Sequence, residues 1–416
     1  MKLKEMFFMK FKKWISFVLL SAMCLQLFAC AEAEPTESKL GTVDLLTNVK
    51  PAPVQQVSIT DRHSLASANF AVSLLQNTYE GENCILSPYS VYTALAMTAN
   101  GADTTTLAQM EDVLGMSAAE MNVYLFALAR GTGDELHSAN SIWFRQEGSF
   151  EPNPDFLQIN ADYYDSDLFA ADFDAQTVKD INDWISKNTA GRINEALESI
   201  DATTMMYLIN ALSFDAAWQE EYEDSQIIDG IFHSASGEEF AEMLCSEENY
   251  YLDDGSAIGF MKPYKGEQYS FVAMLPNEGI SLQEYISSLS GHSLLNTIQN
   301  ASEQSVLVTM PKYELDYSSE LNDALSAMGM PEAFTDNADL SRTSNFDLKI
   351  SYILHKTYLK VDEHGTQAGA ATIVAEDCKG IDLLQKTVLL DRPFVMGIYD
   401  NVNDCFVFLG AIESLE

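Results

Sequence analysis

Residues 363–371 read Glu-His-Gly-Thr-Gln-Ala-Gly-Ala-Ala, and this stretch decides which fold we expect for the chain. It follows the strand-like run Thr357 to Val361, so a strand leads directly into small residues. Gly365 lacks a Cβ atom and gives the backbone freedom to turn. If the segment then continues as a strand, alternate side chains face the core, and these are Thr366, Ala368, Ala370, Thr372 and Val374.

All five of those side chains are small or β-branched, and none is charged. A charge at such a position would lose its water without gaining a partner when the strand is buried, which costs several kcal/mol. The pattern therefore predicts a segment that can enter an existing sheet as an additional strand. A flexible Ala and Gly linker that follows a strand by chance is the alternative interpretation.

The rest of the chain indicates one α+β domain over residues 61–416. Apolar residues recur at helical spacing at Leu65, Ala68, Val72, Leu75 and Tyr79, and again at Val178, Ile181, Trp184 and Ile185 before Gly191. Strand-like runs include Met206 to Phe214, Tyr269 to Leu275, Val306 to Met310, Phe394 to Tyr399 and Phe406 to Leu409. Helices in the first half and strands in the second favour α+β over alternating βαβ units.

The first residues differ from the domain in composition. Five lysines precede the apolar run Trp14 to Phe28, which is short for a membrane-spanning helix, so residues 1–29 are predicted to be a signal peptide. The run ends in Leu27-Phe28-Ala29-Cys30, which resembles a bacterial lipoprotein cleavage site with Cys30 as the acylated residue. An ordinary secretory signal is the alternative. Residues 30–60 contain three prolines and no sustained periodicity, which predicts a flexible tether.

The charge of the chain excludes one class of partner. Without residues 1–29 the chain keeps 18 basic and 61 acidic residues, a formal charge of −43. Such a chain repels phosphate groups, so we expect no nucleic-acid binding, whereas basic partners would be attracted. The sequence contains no Gly-x-Ser-x-Gly, phosphate-binding glycine loop or His-Glu-x-x-His motif, and its six histidines are scattered. We therefore expect no enzyme activity, metal or cofactor.

A series of short blocks in a fixed order resembles the serpin family from about Ser64 to Glu416. No single block is specific, but the order of all of them is. They are Asn83-Cys84-Ile85-Leu86-Ser87-Pro88-Tyr89-Ser90, Asn182-Asp183-Trp184-Ile185, Asn210 and Trp218, Pro263-Tyr264-Lys265-Gly266, Met310-Pro311-Lys312-Tyr313, Ala338-Asp339-Leu340-Ser341, His355-Lys356, Arg392-Pro393-Phe394 and Leu409-Gly410.

The resemblance implies a fold and an activity. Serpins pack helices of the N-terminal half on three β-sheets and expose a reactive loop near the C-terminus, here about residues 363–390. A serine protease attacks this loop, and the loop then inserts into a sheet and stalls the enzyme as a covalent acyl complex. The residues that match the mobile hinge of this loop are Glu363, Gly365, Thr366, Gln367, Ala368, Gly369, Ala370, Ala371 and Thr372.

The resemblance also implies a polar cluster, called the shutter, that latches the central strands. The residues that match it are Asn83, Ser87, Ser90, Asn210 and His355. A buried polar cluster is costly unless it is fully paired, so such a cluster can act as a latch with two arrangements. We expect these residues to control the movement of strands and not to take part in catalysis.

Family spacing from Glu363 places the reactive bond between Lys379 and Gly380. A long cationic side chain suits the acidic specificity pocket of a trypsin-like protease, so we expect a monomeric inhibitor of trypsin-like enzymes. The stretch from Gly380 to Arg392 is a few residues longer than in the family. A reactive bond one to three residues away from Lys379 is therefore the alternative. The alternative is a serpin that does not inhibit and serves as a binding protein or as a protease substrate.

Overall fold

The structure, a computed structural model, describes residues 41–133, 135–148, 150–366 and 385–415. Within these residues none of the helices is both long and apolar enough to cross a membrane. The helices are α1 Asp61–Thr78, α2 Pro88–Ala99, α3 Thr104–Leu114, α4 Ala118–Gly131, α5 Pro154–Tyr163, α6 Ala175–Asn188, α7 Leu282–Ser288, α8 Gly291–Gln299 and α9 Asn322–Met328.

In the second half of the described residues, more residues lie in strands than in helices. The strands are β1 Val43–Asp44, β2 Cys84–Leu86, β3 Leu136–Arg145, β4 Asp167–Ala171, β5 Met206–Phe214, β6 Ala216–Ala217, β7 Ile227–Ser234, β8 Gly237–Asp253, β9 Ala257–Pro263, β10 Tyr269–Pro276, β11 Ser302–Pro311, β12 Tyr313–Glu320, β13 Tyr352–Val361, β14 Gly365–Thr366, β15 Lys386–Leu389, β16 Phe394–Asp400 and β17 Cys405–Ile412.

The first sheet has the order β1-β4-β3-β5-β13-β14-β6, and β12 pairs with the other side of β13. Its centre is a parallel pair, β5 with β13, in register from Tyr207 opposite Tyr352 to Ser213 opposite Tyr358. All nine residues of β5 are buried. Both faces of a strand must be covered for that, and here α2 lies on one face while Ile181 and Ile185 of α6 pack on the other.

The second sheet has the order β15-β11-β8-β9-β10-β16-β17-β2, and β7 pairs with the N-terminal half of β8. The family resemblance implies three sheets. In the described residues the second and third form one hydrogen-bonded network, because the 17-residue strand β8 belongs to both: Met243 pairs with β7 and β11, and Tyr250 pairs with β9. Strands β16 and β17 are buried at every position.

The predicted elements are confirmed. The run Met206 to Phe214 is β5 without any change in bounds, and the other predicted strands lie inside β10, β11, β13, β16 and β17. The two predicted helices are α1 and α6. Each of these elements has a strong apolar pattern, either periodic or continuous, which is why the sequence predicts them well.

The prediction of a flexible tether over residues 30–60 is wrong for residues 42–52, which dock on the domain. Val43 and Asp44 form β1 on the edge strand β4, and the amide of Leu45 donates to the carbonyl of Leu168 at 2.8 Å. Further along, the amide of Ala52 donates to Asp162 Oδ1 at 2.6 Å. This docking cannot be predicted from the sequence, because a two-residue strand has no measurable periodicity and its partners lie more than a hundred residues away. Residues 30–40 lie outside the described residues.

A chain that starts at residue 53 should be less stable than one that starts at residue 41. The shorter chain loses the pairing with β4, exposes an edge strand and uncovers the contacts of Leu45 and Leu46 with the core. We expect the midpoint of thermal unfolding to fall by about 2 °C or more. Equal midpoints for the two chains would mean that residues 41–52 do not stabilise the domain.

Candidate functional site

A tight turn joins β13 to β14 at the start of the predicted hinge. The carboxylate of Asp362 accepts hydrogen bonds from the amides of His364 at 2.9 Å and Gly365 at 3.3 Å. A Cβ atom on Gly365 would lie 2.1 Å from the carbonyl oxygen of Ala216. Close approach of two backbones, and not a left-handed conformation, is therefore the reason why glycine is required at this position.

Thr366, the first inward residue of the predicted hinge, already lies inside the first sheet. It is opposite Val361 of β13 on one side and Ala216 of β6 on the other, and none of its surface is exposed. Its hydroxyl is hydrogen-bonded to the hydroxyl of the buried Tyr264. The predicted hinge therefore begins as a short strand between two other strands.

Two aromatic residues hold the turn through its backbone. Trp218 donates from its amide to the carbonyl of His364 and from Nε1 to the carbonyl of Asp362, both at 2.9 Å. The amide of Tyr222 donates to the carbonyl of Glu363, also at 2.9 Å. Three consecutive carbonyl groups of the turn are thus bound by two residues. We call Trp218 and Tyr222 the turn anchor.

The side chain of Glu363 is paired with a lysine. Lys312 Nζ lies 2.7 Å from Glu363 Oε2 and 3.0 Å from Glu242 Oε2, and all three side chains keep some exposure. Burial opposes the charge of Glu363, but hydrogen bonding and attraction from Lys312 outweigh it and lower the pKa of this carboxyl group. Burial also opposes the charge of Lys312, while the two carboxylates raise its pKa. Both groups are charged at neutral pH.

A buried polar cluster lies below the hinge, between α2 and the centre of the first sheet. It brings together four of the five predicted shutter residues: Ser87, Ser90, Asn210 and His355, none of which has exposed surface. Ser90 Oγ donates to Asn140 Oδ1 at 2.7 Å, and Asn210 Nδ2 donates to the same oxygen at 3.0 Å. Asn140 on β3 therefore connects Ser90 on α2 with Asn210 on β5 within this cluster.

His355 joins the cluster through one ring nitrogen. Its Nε2 accepts from the amide of Ser87 at 2.9 Å, so the neutral ring carries its hydrogen on Nδ1. Among the described residues Nδ1 has no hydrogen-bond partner, and neither has Oδ1 of Asn210 on the adjacent strand. Burial lowers the pKa of His355 from 6.5 to about 3. The cluster is thus neutral, and its polar groups are incompletely paired within these residues.

The fifth predicted shutter residue, Asn83, does not join the cluster. Its Nδ2 donates to the carbonyl of Ser414 at 2.9 Å, and its Oδ1 accepts from the amides of Glu413 and Ser414. Asn83 precedes β2, which pairs with the last strand β17, so its side chain meets the chain end instead of β13. In this structure Asn83 fastens the C-terminal segment.

The remaining predicted site residues lie outside the described residues. This holds for the reactive bond between Lys379 and Gly380, for the acylated Cys30 and for the later part of the hinge. That later part comprises Gln367, Ala368, Gly369, Ala370, Ala371 and Thr372. These assignments remain predictions.

Sequence reasoning missed several residues of the site. Asn140, Tyr222 and Lys312 have no role in the sequence analysis, although Lys312 stands in one of the family blocks. Half of the residues of β3 are polar, so the sequence gives no signal that singles out Asn140 as a buried amide in need of partners. No group of three or more metal-binding side chains occurs within the described part of the chain.

Comparison with known proteins places these features in one family. The family model described as Serpin (serine protease inhibitor) matches residues 65–415. The chain is 30% identical to the leukocyte elastase inhibitor of Bos taurus over 84% of this chain and 99% of that protein. It is 42% identical to the thermophilic serpin tengpin in a crystal structure of the native state, with a TM-score of 0.86 over 90% of this chain and 100% of that chain.

The same fold occurs in a protein that binds a small molecule. A crystal structure of human thyroxine-binding globulin in complex with thyroxine has a TM-score of 0.75 and 23% identity, covering 85% of this chain and 98% of that chain. At this identity the likeness concerns the fold alone.

Stability should depend on pH through His355. In the unfolded chain this histidine binds a proton below its usual pKa of 6.5, whereas the folded pKa is about 3. The unfolded state therefore gains protons first as the pH falls, and the free energy of unfolding decreases by about 1.4 kcal/mol per pH unit between these values. Above pH 6.5 the contribution of His355 is constant.

A His355→Gln variant tests this dependence by urea unfolding at about pH 7.5 and pH 5. At the higher pH we expect the variant to be less stable by about 1–3 kcal/mol, because the buried Ser87 amide loses a well-placed acceptor. At the lower pH the free energies of unfolding of wild type and variant should become more similar, because only the wild type loses stability through His355. The same substitution at the exposed His292 serves as the control, and parallel curves for wild type and His355→Gln would contradict the assignment.

Proposed function

The chain belongs to the serpin family, and from that premise we propose that it inhibits a trypsin-like serine protease as a suicide substrate. Serpins are generally inhibitors and not catalysts, and they interact with serine proteases. The proposed reactive loop is about residues 363–390, with the bond between Lys379 and Gly380 as the one attacked.

One observation carries this proposal: Thr366 is seated, fully buried, between β13 and β6. The next inward positions in the sequence are Ala368, Ala370 and Thr372, which are as small as Thr366 and uncharged. Continued insertion would require β13 to separate from β5, since these two strands are directly paired below Thr366. The hinge thus has a starting point in the sheet and side chains suited to the path beyond it.

In the proposed reaction the serine hydroxyl of the protease attacks the carbonyl carbon of Lys379. The bond to Gly380 breaks, the new amino terminus at Gly380 takes up the proton, and the carbonyl carbon of Lys379 stays bound to the protease as an ester. The released hinge then inserts and carries the protease with it. Hydrolysis of the ester stalls because the active site of the protease is distorted, so inhibition depends on kinetics and not on equilibrium affinity.

The polar cluster is proposed to control when the strands separate. Asn210 and His355 are opposite residues on β5 and β13, at the middle of the paired region. Asn140 binds both Ser90 on α2 and Asn210 on β5, so it ties the helix to one of the strands that would move. Rearranging a neutral cluster that has unpaired polar atoms costs less free energy than rearranging one in which every hydrogen bond is formed, because fewer hydrogen bonds must be broken.

The competing function is that of a serpin used as a binding protein or as a substrate. The fold alone permits it, as thyroxine-binding globulin illustrates. The inward hinge residues favour inhibition, because a charged or bulky residue there would slow insertion. We also propose that the protein is exported, as serpins typically are, and that it is held at the bacterial surface by acylation of Cys30.

Incubation of the purified domain with trypsin should produce a covalent complex that survives a denaturing gel. Mass spectrometry of the released C-terminal peptide should give Gly380 as its first residue, and Lys379→Glu should remove both complex and peptide, since trypsin requires a cationic side chain. A clean nick with fully active trypsin would support the substrate alternative. Complex formation with cleavage at another bond would contradict the assignment of Lys379 and would leave the proposed mechanism unchanged.

Thr366→Arg should convert the protein from an inhibitor into a substrate. The arginine would have to be buried between β13 and β6 without a partner for its charge, so insertion would be slower than hydrolysis of the ester. The gel should then contain cleaved protein instead of complex. Thr105→Arg, at an exposed position of α3 outside the loop, is the matched control and should inhibit normally. Equal inhibition by both variants would refute insertion at Thr366.

A further inference from the structure

A buried ion pair lies directly behind the turn anchor. Lys262 on β9 and Glu248 on β8 are joined by a contact of 2.8 Å between Nζ and Oε1, and their side chains are only 3% and 7% exposed. Phe260 and Phe271 beside the pair belong to the core of the second sheet. Neither Lys262 nor Glu248 is needed for any contact with the hinge described above.

Lys262 contacts the turn anchor directly, and Glu248 reaches it through the hydroxyl of Ser246. Lys262 Nζ lies 4.5 Å from the centre of the Tyr222 ring and 5.5 Å from the centre of the Trp218 ring, within the range of cation–π attraction. Glu248 Oε1 accepts from Ser246 Oγ at 2.6 Å, and this hydroxyl lies 3.1 Å from the hydroxyl of Tyr222. The pair thus fixes the orientation of two rings whose backbones hold the turn.

Stability is a poor explanation for such a pair. Burying two charges costs several kcal/mol per ion, and apolar residues of similar size are often as stabilising or more so. What a lysine and a glutamate provide here is direction, because a cation binds the faces of two particular rings and a carboxylate binds one hydroxyl. An apolar pair would fill the space without selecting a ring position.

We propose that Lys262 and Glu248 are positioning residues for insertion of the reactive loop. They hold Trp218 and Tyr222 so that the turn at Asp362 to His364 stays fixed while the chain beyond Thr366 moves. A fixed turn keeps the entering strand in register from its first residue. The inference rests on the proposed function in one respect, that the hinge inserts into the first sheet.

The consequence is a change in how each encounter with the protease ends. After the ester forms, insertion leads to the inhibited complex and hydrolysis leads to cleaved inhibitor and free protease. If the turn is held less firmly, insertion slows and hydrolysis does not. The number of inhibitor molecules consumed per protease inactivated therefore rises. An ion pair with a merely structural role would change stability and leave this ratio unaltered.

The double variant Lys262→Met with Glu248→Leu removes both charges without leaving either one unpaired. With trypsin we expect the ratio of inhibitor consumed to protease inactivated to increase by about fivefold. The thermal midpoint should stay equal or rise, for the reason given above. The matched control is Lys349→Gln with Asp336→Asn, an exposed pair whose loss should leave the ratio unchanged.

A second variant guards against a double variant that does not fold. Tyr222→Leu keeps the backbone amide that binds Glu363 but removes the ring that Lys262 contacts, so it should also raise the ratio. If wild type inhibits trypsin and neither variant changes the ratio, the inference is overturned and the proposed function stands.

An independent readout separates failure of the inference from failure of the function. The loop is nicked with a protease that the chain does not inhibit, and the gain in heat stability is followed over time. Faster gain in wild type than in the variants supports the positioning role even if no covalent complex with trypsin forms. Equal rates in all proteins would overturn the inference alone. No gain in any of them would mean that the hinge does not insert, which overturns the proposed function and the inference with it.

Discussion

The parallel pairing of β5 with β13 is the interaction on which the rest of this structure depends. The pair lies at the centre of the first sheet, with helices on both faces, and its seven residue pairs run from Tyr207 opposite Tyr352 to Ser213 opposite Tyr358. The seated Thr366 marks its upper end, and Asn210 opposite His355 marks its middle. Under the proposed mechanism, the polar cluster at His355 holds the two strands together until insertion begins. Thr366 marks the point at which the loop enters between them.

Buried polar groups occur at the middle of this pairing and behind the turn at its end, where apolar residues would pack more simply. The cluster at His355 and the ion pair of Lys262 with Glu248 are both buried, and both are placed beside groups that would move or must stay fixed. Apolar packing is non-directional, whereas hydrogen bonds and cation–π contacts select one arrangement. In the proposed mechanism β13 exchanges β5 for the inserted loop as its partner, and directional contacts select one arrangement of the strands before that exchange.

Much of the fold could be predicted because its signals are local. The strand β5 is a continuous apolar run, and the helix α6 repeats apolar residues at helical spacing, so both are evident without any contact information. The small residues of the predicted hinge are also a local signal, and Thr366 is the inward one among them that the structure describes. Docking of residues 42–52 could not be predicted, since two residues of strand and a few hydrogen bonds leave no periodic pattern.

The family, the positions of the main elements and the chemical character of the hinge follow from the amino-acid sequence, because periodicity and the order of motifs are properties of the chain. Only the tertiary structure decided which polar residues meet. It placed Asn140, and not Asn83, with His355, and it placed Trp218 and Tyr222 on the turn with Lys262 behind them. These contacts join residues that are forty or more positions apart, and the register that brings them together comes from the packing of the whole core.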